Sequence, residues 1–161
     1  ALLAPQAAGH TWYPLSFLAV PQDNEPYLSA LLNAIAEVVS EIETAGISRE
    51  NIYFLGFSQG ACLSLEFVTR NASKFGGVAA FTGGLIGDRI YAENYNGNFD
   101  GTPVFIGTSN PDFHVPVQRV YDTETILNSM NANVTVKVYD NMPHTIVQDE
   151  IDLTNQLVFK I

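Results

Sequence analysis

Four short runs rich in β-branched, aromatic and aliphatic residues, Ile52–Leu55, Val78–Phe81, Val104–Ile106 and Val134–Val138, are separated by longer stretches along the chain. Turn formers follow each run at once: Gly56-Phe57-Ser58, Thr82-Gly83-Gly84, Gly107-Thr108-Ser109 and Tyr139-Asp140-Asn141. Several of the intervening stretches have helical period. Leu28, Leu31, Leu32, Ile35, Val38 and Ile42 repeat at helix spacing between Glu25-Pro26 and the stop at Ala45-Gly46. Further helices are expected from Ala61 to about Asn71, from about Val117 to Met130, and from about Val147. Strands joined through helices pair in parallel, and such a sheet buries both faces under helices. The expected class is therefore α/β, a mostly parallel sheet with helices on both faces. In such sheets ligands meet the loops beyond the carboxyl ends of the strands.

No composition break or repeat divides the 161 residues, so a single domain over 1–161 is expected. With 47% apolar residues the chain can fill one core, and it reads as a soluble, folded domain. Seventeen acidic side chains against seven basic ones give a net charge of −10 and no cationic cluster. Nucleic acid is thereby excluded as an expected partner. No apolar stretch reaches bilayer length, so no membrane span is expected, and Ala1–Pro5 lacks the basic and apolar parts of a signal peptide. Cys62 is the one cysteine and has no intrachain partner, which permits a reducing compartment; a cytoplasmic location is expected. Three scattered histidines and one cysteine do not form a metal set, and Gly83-Gly84-Leu85-Ile86-Gly87 lacks the full dinucleotide fingerprint, so no cofactor is expected.

Gly56-Phe57-Ser58-Gln59-Gly60 is a G-x-S-x-G pentapeptide placed between an expected strand and an expected helix. In that setting the central serine occupies a strained turn, and the glycines remove side chains that would clash across it. Ser58 Oγ would project above the sheet beside a helix N-terminus, where negative charge is favoured. A serine hydroxyl is a weak nucleophile without a base, and the base needs an acid to fix its tautomer. After the third run comes Asp112, and after the fourth comes His144, in the chain order serine, acid, histidine. Asp140 is a competing acid, but it directly ends its strand, as turn-starting aspartates do. Among the other histidines, His10 precedes the serine and His114 stands two residues past Asp112, so both read as surface or structural residues. Cys62 reads as buried packing, since Leu63, Leu65 and Phe67 offer no activating cation.

Three segments together, Gly56-Phe57-Ser58-Gln59-Gly60-Ala61, Thr102–Phe105 with Asp112 and Val115-Pro116, and Met142-Pro143-His144-Thr145, resemble the phospholipase/carboxylesterase family of α/β-hydrolases, which includes small bacterial carboxylesterases and acyl-protein thioesterases. Ala4–Ala7 and Trp12-Tyr13-Pro14 look like the family's segment leading to its substrate-lining loop. The resemblance implies an α/β-hydrolase sheet and a serine esterase with Ser58, Asp112 and His144 as its triad. It implies cleavage of short- to medium-chain carboxylic esters, with thioester or lysophospholipid cleavage on the same triad, or a catalytically weak binding module, as alternatives. It gives the Gln59 N–H to the oxyanion site. By the same resemblance, an N-terminal strand and the loop carrying a second oxyanion donor are expected to be missing from this chain, whether supplied by a separate polypeptide, replaced by a rearranged sheet or compensated by a partner subunit. That strand would lie between a strand at Leu2-Leu3-Ala4 and the one at Ile52–Leu55, leaving His10 or the Gly9 amide to approach the oxyanion. Surface left bare would be covered by a homo-oligomer partner. Trp12, Tyr13, Leu85, Ile86, Phe113 and Met142, in the loops that must meet Ser58, are the expected wall of an apolar site for a small-molecule ester.

Overall fold

The computed structural model describes residues 1–161. Its centre is a four-stranded sheet of β1 (Tyr53–Phe57), β2 (Gly77–Phe81), β3 (Pro103–Asn110) and β4 (Asn133–Asp140). The strands lie in chain order and pair in parallel throughout. β3 runs past its expected end through Gly107-Thr108-Ser109, because all eight of its residues from Pro103 to Asn110 have a partner on β4. The helices are α1 (Tyr27–Thr44), α2 (Gln59–Arg70), α3 (Val117–Ser129) and α4 (Gln148–Thr154), the last continued by a π-helical turn at Asn155–Phe159.

Period-two alternation sorts the strand residues between two cores. Val78, Ala80, Val104 and Ile106 join Leu28 and Val39 of α1, Leu65 and Val68 of α2, and Val120 and Leu127 of α3 in the larger one. Ala79, Phe81 and Phe105 meet Val158 on the opposite face, with Ile151 and Leu157 against them. Both faces thus carry helices. Burial is complete on β2, whose five residues are all buried, as expected for a central parallel strand.

β1 is half covered. Phe54 packs on Phe67 and Phe75 with ring centroids 5.6 and 5.3 Å apart. On the other face Tyr53, Leu55 and Phe57 remain 45, 58 and 38% exposed, three large side chains in a row on an edge strand. The strand expected at Leu2-Leu3-Ala4 is not formed. These residues have no ladder partner, and Leu2 and Leu3 stand in solvent, so nothing replaces the backbone bonds a strand requires.

The alternation of strand and helix also breaks between β2 and β3, where residues 82–102 contain no helix beyond a 3₁₀ turn at Ala92–Asn94. A buried irregular segment must satisfy its backbone with side chains from elsewhere. Arg119 of α3 donates from Nη1 to the Leu85 and Gly87 carbonyls at 2.8 and 2.6 Å. Glu66 of α2, fully buried and paired with Arg70 at 2.7 Å, accepts the Ile86 N–H and the Tyr95 hydroxyl, each at 3.0 Å. Arg119→Met keeps much of the volume but strands two buried carbonyls. It is expected to lower stability by ~1–3 kcal/mol per stranded group, read as a lower Tm in a thermal melt; an unchanged Tm would show that the loop is held by other means.

Candidate active site

The turn from β1 into α2 places Ser58 at φ 52°, ψ −119°, a conformation that a non-glycine residue adopts only when its surroundings enforce it. Its N–H donates to the Phe81 carbonyl at 2.9 Å, and its own carbonyl accepts the Cys62 N–H at 3.0 Å to start the helix. A Cβ on Gly56 would overlap the Gly60 carbonyl, so that glycine is sterically required. Gly60 is not equivalent: a Cβ there would meet only Trp12 Nε1, at 3.9 Å. The clash expected of both glycines is therefore confined to the first, because the helix carries the Gly60 Cα outward while Gly56 lies beneath the turn.

Ser58 Oγ is 2.9 Å from His144 Nε2, and His144 Nδ1 is 2.8 Å from Asp112 Oδ2. A carboxylate only accepts, so Nδ1 carries the proton, Nε2 is left as acceptor, and the serine hydroxyl donates to it. The Asp112 side chain is 1% exposed and that of His144 26%. Asp112 Oδ1 accepts the N–H groups of His114 and Val115, both at 2.8 Å. Desolvation pushes the Asp112 carboxyl upward, but the bonds from His144 and the two amides outweigh it and hold it below the ordinary carboxylate range. Asp140, the competing acid, ends β4 and has no place in this chain of bonds.

The His144 ring lies between two others. Phe57 is 5.1 Å away and tilted, and His114 is 5.0 Å away edge-to-face. His114, expected to be a bland surface residue, thus touches the centre of the site: the Asp112 turn folds the chain back and carries the next side chain but one toward the imidazole. His10 stands apart. The exposed turn at Ala8–His10 puts neither Gly9 nor His10 in the wall of the cavity at Ser58, contrary to their expected approach to the oxyanion.

That cavity has a volume of about 370 Å³. Tyr13 and Leu15–Leu18 line one side and Phe113–Pro116 the other, with Ser58, Gln59 and Cys62 at the base. Tyr13, which is buried, and Phe113, which stands 97% exposed at the rim, are both among the lining residues. Trp12 instead lines a separate hollow of about 360 Å³ that it shares with Tyr13, Tyr27 and Leu31. Leu85 and Ile86 are wholly buried in the larger core and do not line the cavity. Their N–H groups bond to Thr123 Oγ1 and Glu66 Oε2, which turns the side chains inward. Met142 also lies outside the wall; its carbonyl accepts the Ser109 hydroxyl at 2.6 Å. Cys62 is buried as expected, and burial pushes its thiol up to about 12, away from nucleophilic use. The wall segment Leu15-Ser16-Phe17-Leu18 was not anticipated, although an apolar run directly after Trp12-Tyr13-Pro14 was its available signal.

The family model for phospholipases and carboxylesterases matches residues 3–158. This chain belongs to the phospholipase/carboxylesterase family. It is 32% identical over 147 residues to acyl-protein thioesterase 1 of Saccharomyces cerevisiae, an alignment covering 88% of this chain and 61% of the yeast protein. A probable inactive carboxylesterase of Oryza sativa subsp. japonica is 27% identical over 148 residues, 92% of this chain and 60% of its own. The chain therefore spans about three-fifths of the length of these relatives. The crystal structure of a phospholipase/carboxylesterase from Dyadobacter fermentans superimposes with a TM-score of 0.96 at 57% identity, over 97% of this chain and 75% of that one. The α/β-hydrolase-type sheet is the family's, and no helix is long and apolar enough to cross a membrane.

The steric asymmetry of the elbow is open to a direct check. Gly56→Ala is expected to destabilise the fold by about 1–3 kcal/mol through overpacking, whereas Gly60→Ala is expected to fold with a near-parental Tm. Equal losses in thermal melts of the two variants would contradict the geometry.

Proposed function

We propose that this chain is a carboxylic ester hydrolase in which Ser58 is the nucleophile, His144 the general base and acid, and Asp112 the group that orients and balances the imidazole. The observation that carries the reading is the unbroken run of bonds from Asp112 through His144 to Ser58, opening on a cavity walled largely by apolar side chains. Ser58 Oγ attacks the ester carbonyl carbon as its proton passes to His144 Nε2. The Gln59 N–H, at the first position of α2 where no intrahelical partner exists, donates to the oxyanion. The tetrahedral intermediate collapses, the C–O bond to the alcohol breaks, and His144 returns the proton to the leaving oxygen. Water then attacks the acyl-serine by the same route, His144 taking its proton and returning it to Ser58, so that the acid leaves and the enzyme is restored. The depressed Asp112 carboxyl stays ionised at neutral pH and offsets the imidazolium formed in each half.

A cavity near 370 Å³ lies at the small end of ligand sites and suits short- to medium-chain acyl groups. The kinship with a yeast protein named for acyl-protein thioesterase activity favours sulfur leaving groups as a second reading. A panel of oxygen and sulfur esters of graded chain length separates the two. Ser58→Ala is expected to abolish turnover of p-nitrophenyl butyrate, and Asp112→Asn to lower kcat by about 10³–10⁴-fold. Failure of a fluorophosphonate to label Ser58 in folded protein would overturn the assignment and leave a binding module.

The exposed row of Tyr53, Leu55 and Phe57 supports a further part of the proposal, that a second copy of the chain covers β1. Light scattering is expected to give a mass above that of one chain, and a sharp monomer would overturn it.

A further inference from the structure

Gln59 has a side chain that the reaction as proposed does not use. From the first turn of α2 it reaches a stretch of chain with no regular structure, nearly fifty residues away in sequence. Its Oε1 accepts the Trp12 N–H at 2.7 Å, and its Nε2 donates to the Tyr13 carbonyl at 2.9 Å. The Thr11 hydroxyl gives its one proton to the Tyr13 carbonyl at 2.8 Å and accepts the second Nε2 proton at 3.3 Å. Every hydrogen of the amide is thereby used. The chemistry requires an amide: an acceptor must face Trp12 N–H while a donor faces the Tyr13 carbonyl, and a carboxylate supplies only acceptors.

What the amide grips is the root of the cavity wall. Tyr13 is itself a lining residue, and Leu15–Leu18 follow two positions later. The far end of this wall is tied elsewhere, by Asn24 to the Leu15 N–H and the Ser16 carbonyl and by the Gly87 N–H to the Phe17 carbonyl. At its near end the Gln59 amide pairs with the backbone of Trp12 and Tyr13, and the same residue adjoins the nucleophile.

We propose that the Gln59 side chain is a positioning residue for acyl selectivity, holding the Tyr13–Leu18 wall at a fixed distance from Ser58. The inference rests on the ester hydrolase reading above. Esters whose acyl chain reaches the wall depend on the clamp; an acetyl group is too short to do so. In Gln59→Glu the carboxylate keeps an acceptor for Trp12 but sets an oxygen against the Tyr13 carbonyl, which pushes the wall away. Thr11→Val removes the supporting hydroxyl without touching the elbow.

The test is kcat and KM for p-nitrophenyl acetate, butyrate and hexanoate with the parent chain, Gln59→Glu and Thr11→Val, each checked for folding by thermal melt. The ratio of kcat/KM for hexanoate to that for acetate is expected to fall about tenfold in Gln59→Glu, mainly through KM of the longer ester, with a smaller fall in Thr11→Val. A uniform loss across chain lengths, or no change, in the folded variants would overturn the proposal. Should Gln59→Glu fail to fold, an unchanged ratio in Thr11→Val overturns it alone. Fluorophosphonate labelling of Ser58 in the parent chain keeps this outcome separate from failure of the hydrolase reading, in which the parent itself is neither labelled nor active.

Discussion

The close approach of Gly56 to Gly60 is the constraint on which the rest of the site depends. It lets β1 turn into α2 within one residue, and that residue, Ser58, takes up the strained backbone. The strain is borne by the neighbouring strands. Ser58 N–H is bonded to Phe81 at the end of β2, Thr82 N–H to Gly107 in β3 at 2.7 Å, and Asn141 N–H to Asn110 between the ends of β4 and β3 at 3.1 Å. These bonds step across the whole carboxyl edge of the sheet, so the loops bearing serine, acid and histidine share one frame. Positioning to within a fraction of an ångström is what the proposed acyl transfer would need from its scaffold.

Within that frame the acid and histidine loops hold each other. The Ser109 hydroxyl, from the penultimate residue of β3, reaches the Met142 carbonyl two residues before His144. Three residues after His144, the Val147 N–H donates to Glu150 Oε2 at 2.9 Å as α4 begins. Glu150 is wholly buried, its second oxygen lies over Gly107 where any Cβ would collide, and burial pushes its carboxyl above the ordinary range. The imidazole loop is therefore anchored on both sides by groups that do not touch a substrate. Its ring is held laterally as well, between Phe57 and His114.

Much of this was legible beforehand, and the reason is local. Alternating β-type runs and helix-period stretches are short-range signals, and they located all four strands and all four helices. G-x-S-x-G between strand and helix, with Asp112 and His144 after later strands, carried the three residues that the fold brings into one chain of bonds. What was missed depends on partners remote in sequence. Nothing near residues 82–102 announces that Arg119 and Glu66 will satisfy a buried irregular crossover. Leu85 and Ile86 follow a glycine pair at a strand end, which reads as a loop tip, yet those same two side chains anchor their backbone with the apolar groups facing the core. The second glycine of the elbow illustrates the converse, a residue that satisfies a motif without the steric need that the motif suggests.

The bare face of β1 and the site are physically continuous, because the last residue of the exposed row, Phe57, is the one that packs on His144. A surface closing over Tyr53 and Leu55 would meet Phe57 next and, through it, the imidazole. The His144 side chain is 26% exposed against 1% for Asp112, and a hydrogen bond strengthens as water is removed from around it. Cover on β1 would thus act on the site by drying its base rather than by adding a group to it. The same step would hold the Phe57 ring in place and restrict the imidazole to the orientation in which Nδ1 faces Asp112 and Nε2 faces Ser58. Sheet edge and candidate site are two ends of one strand, and a contact at the first bears on the second through a single aromatic ring.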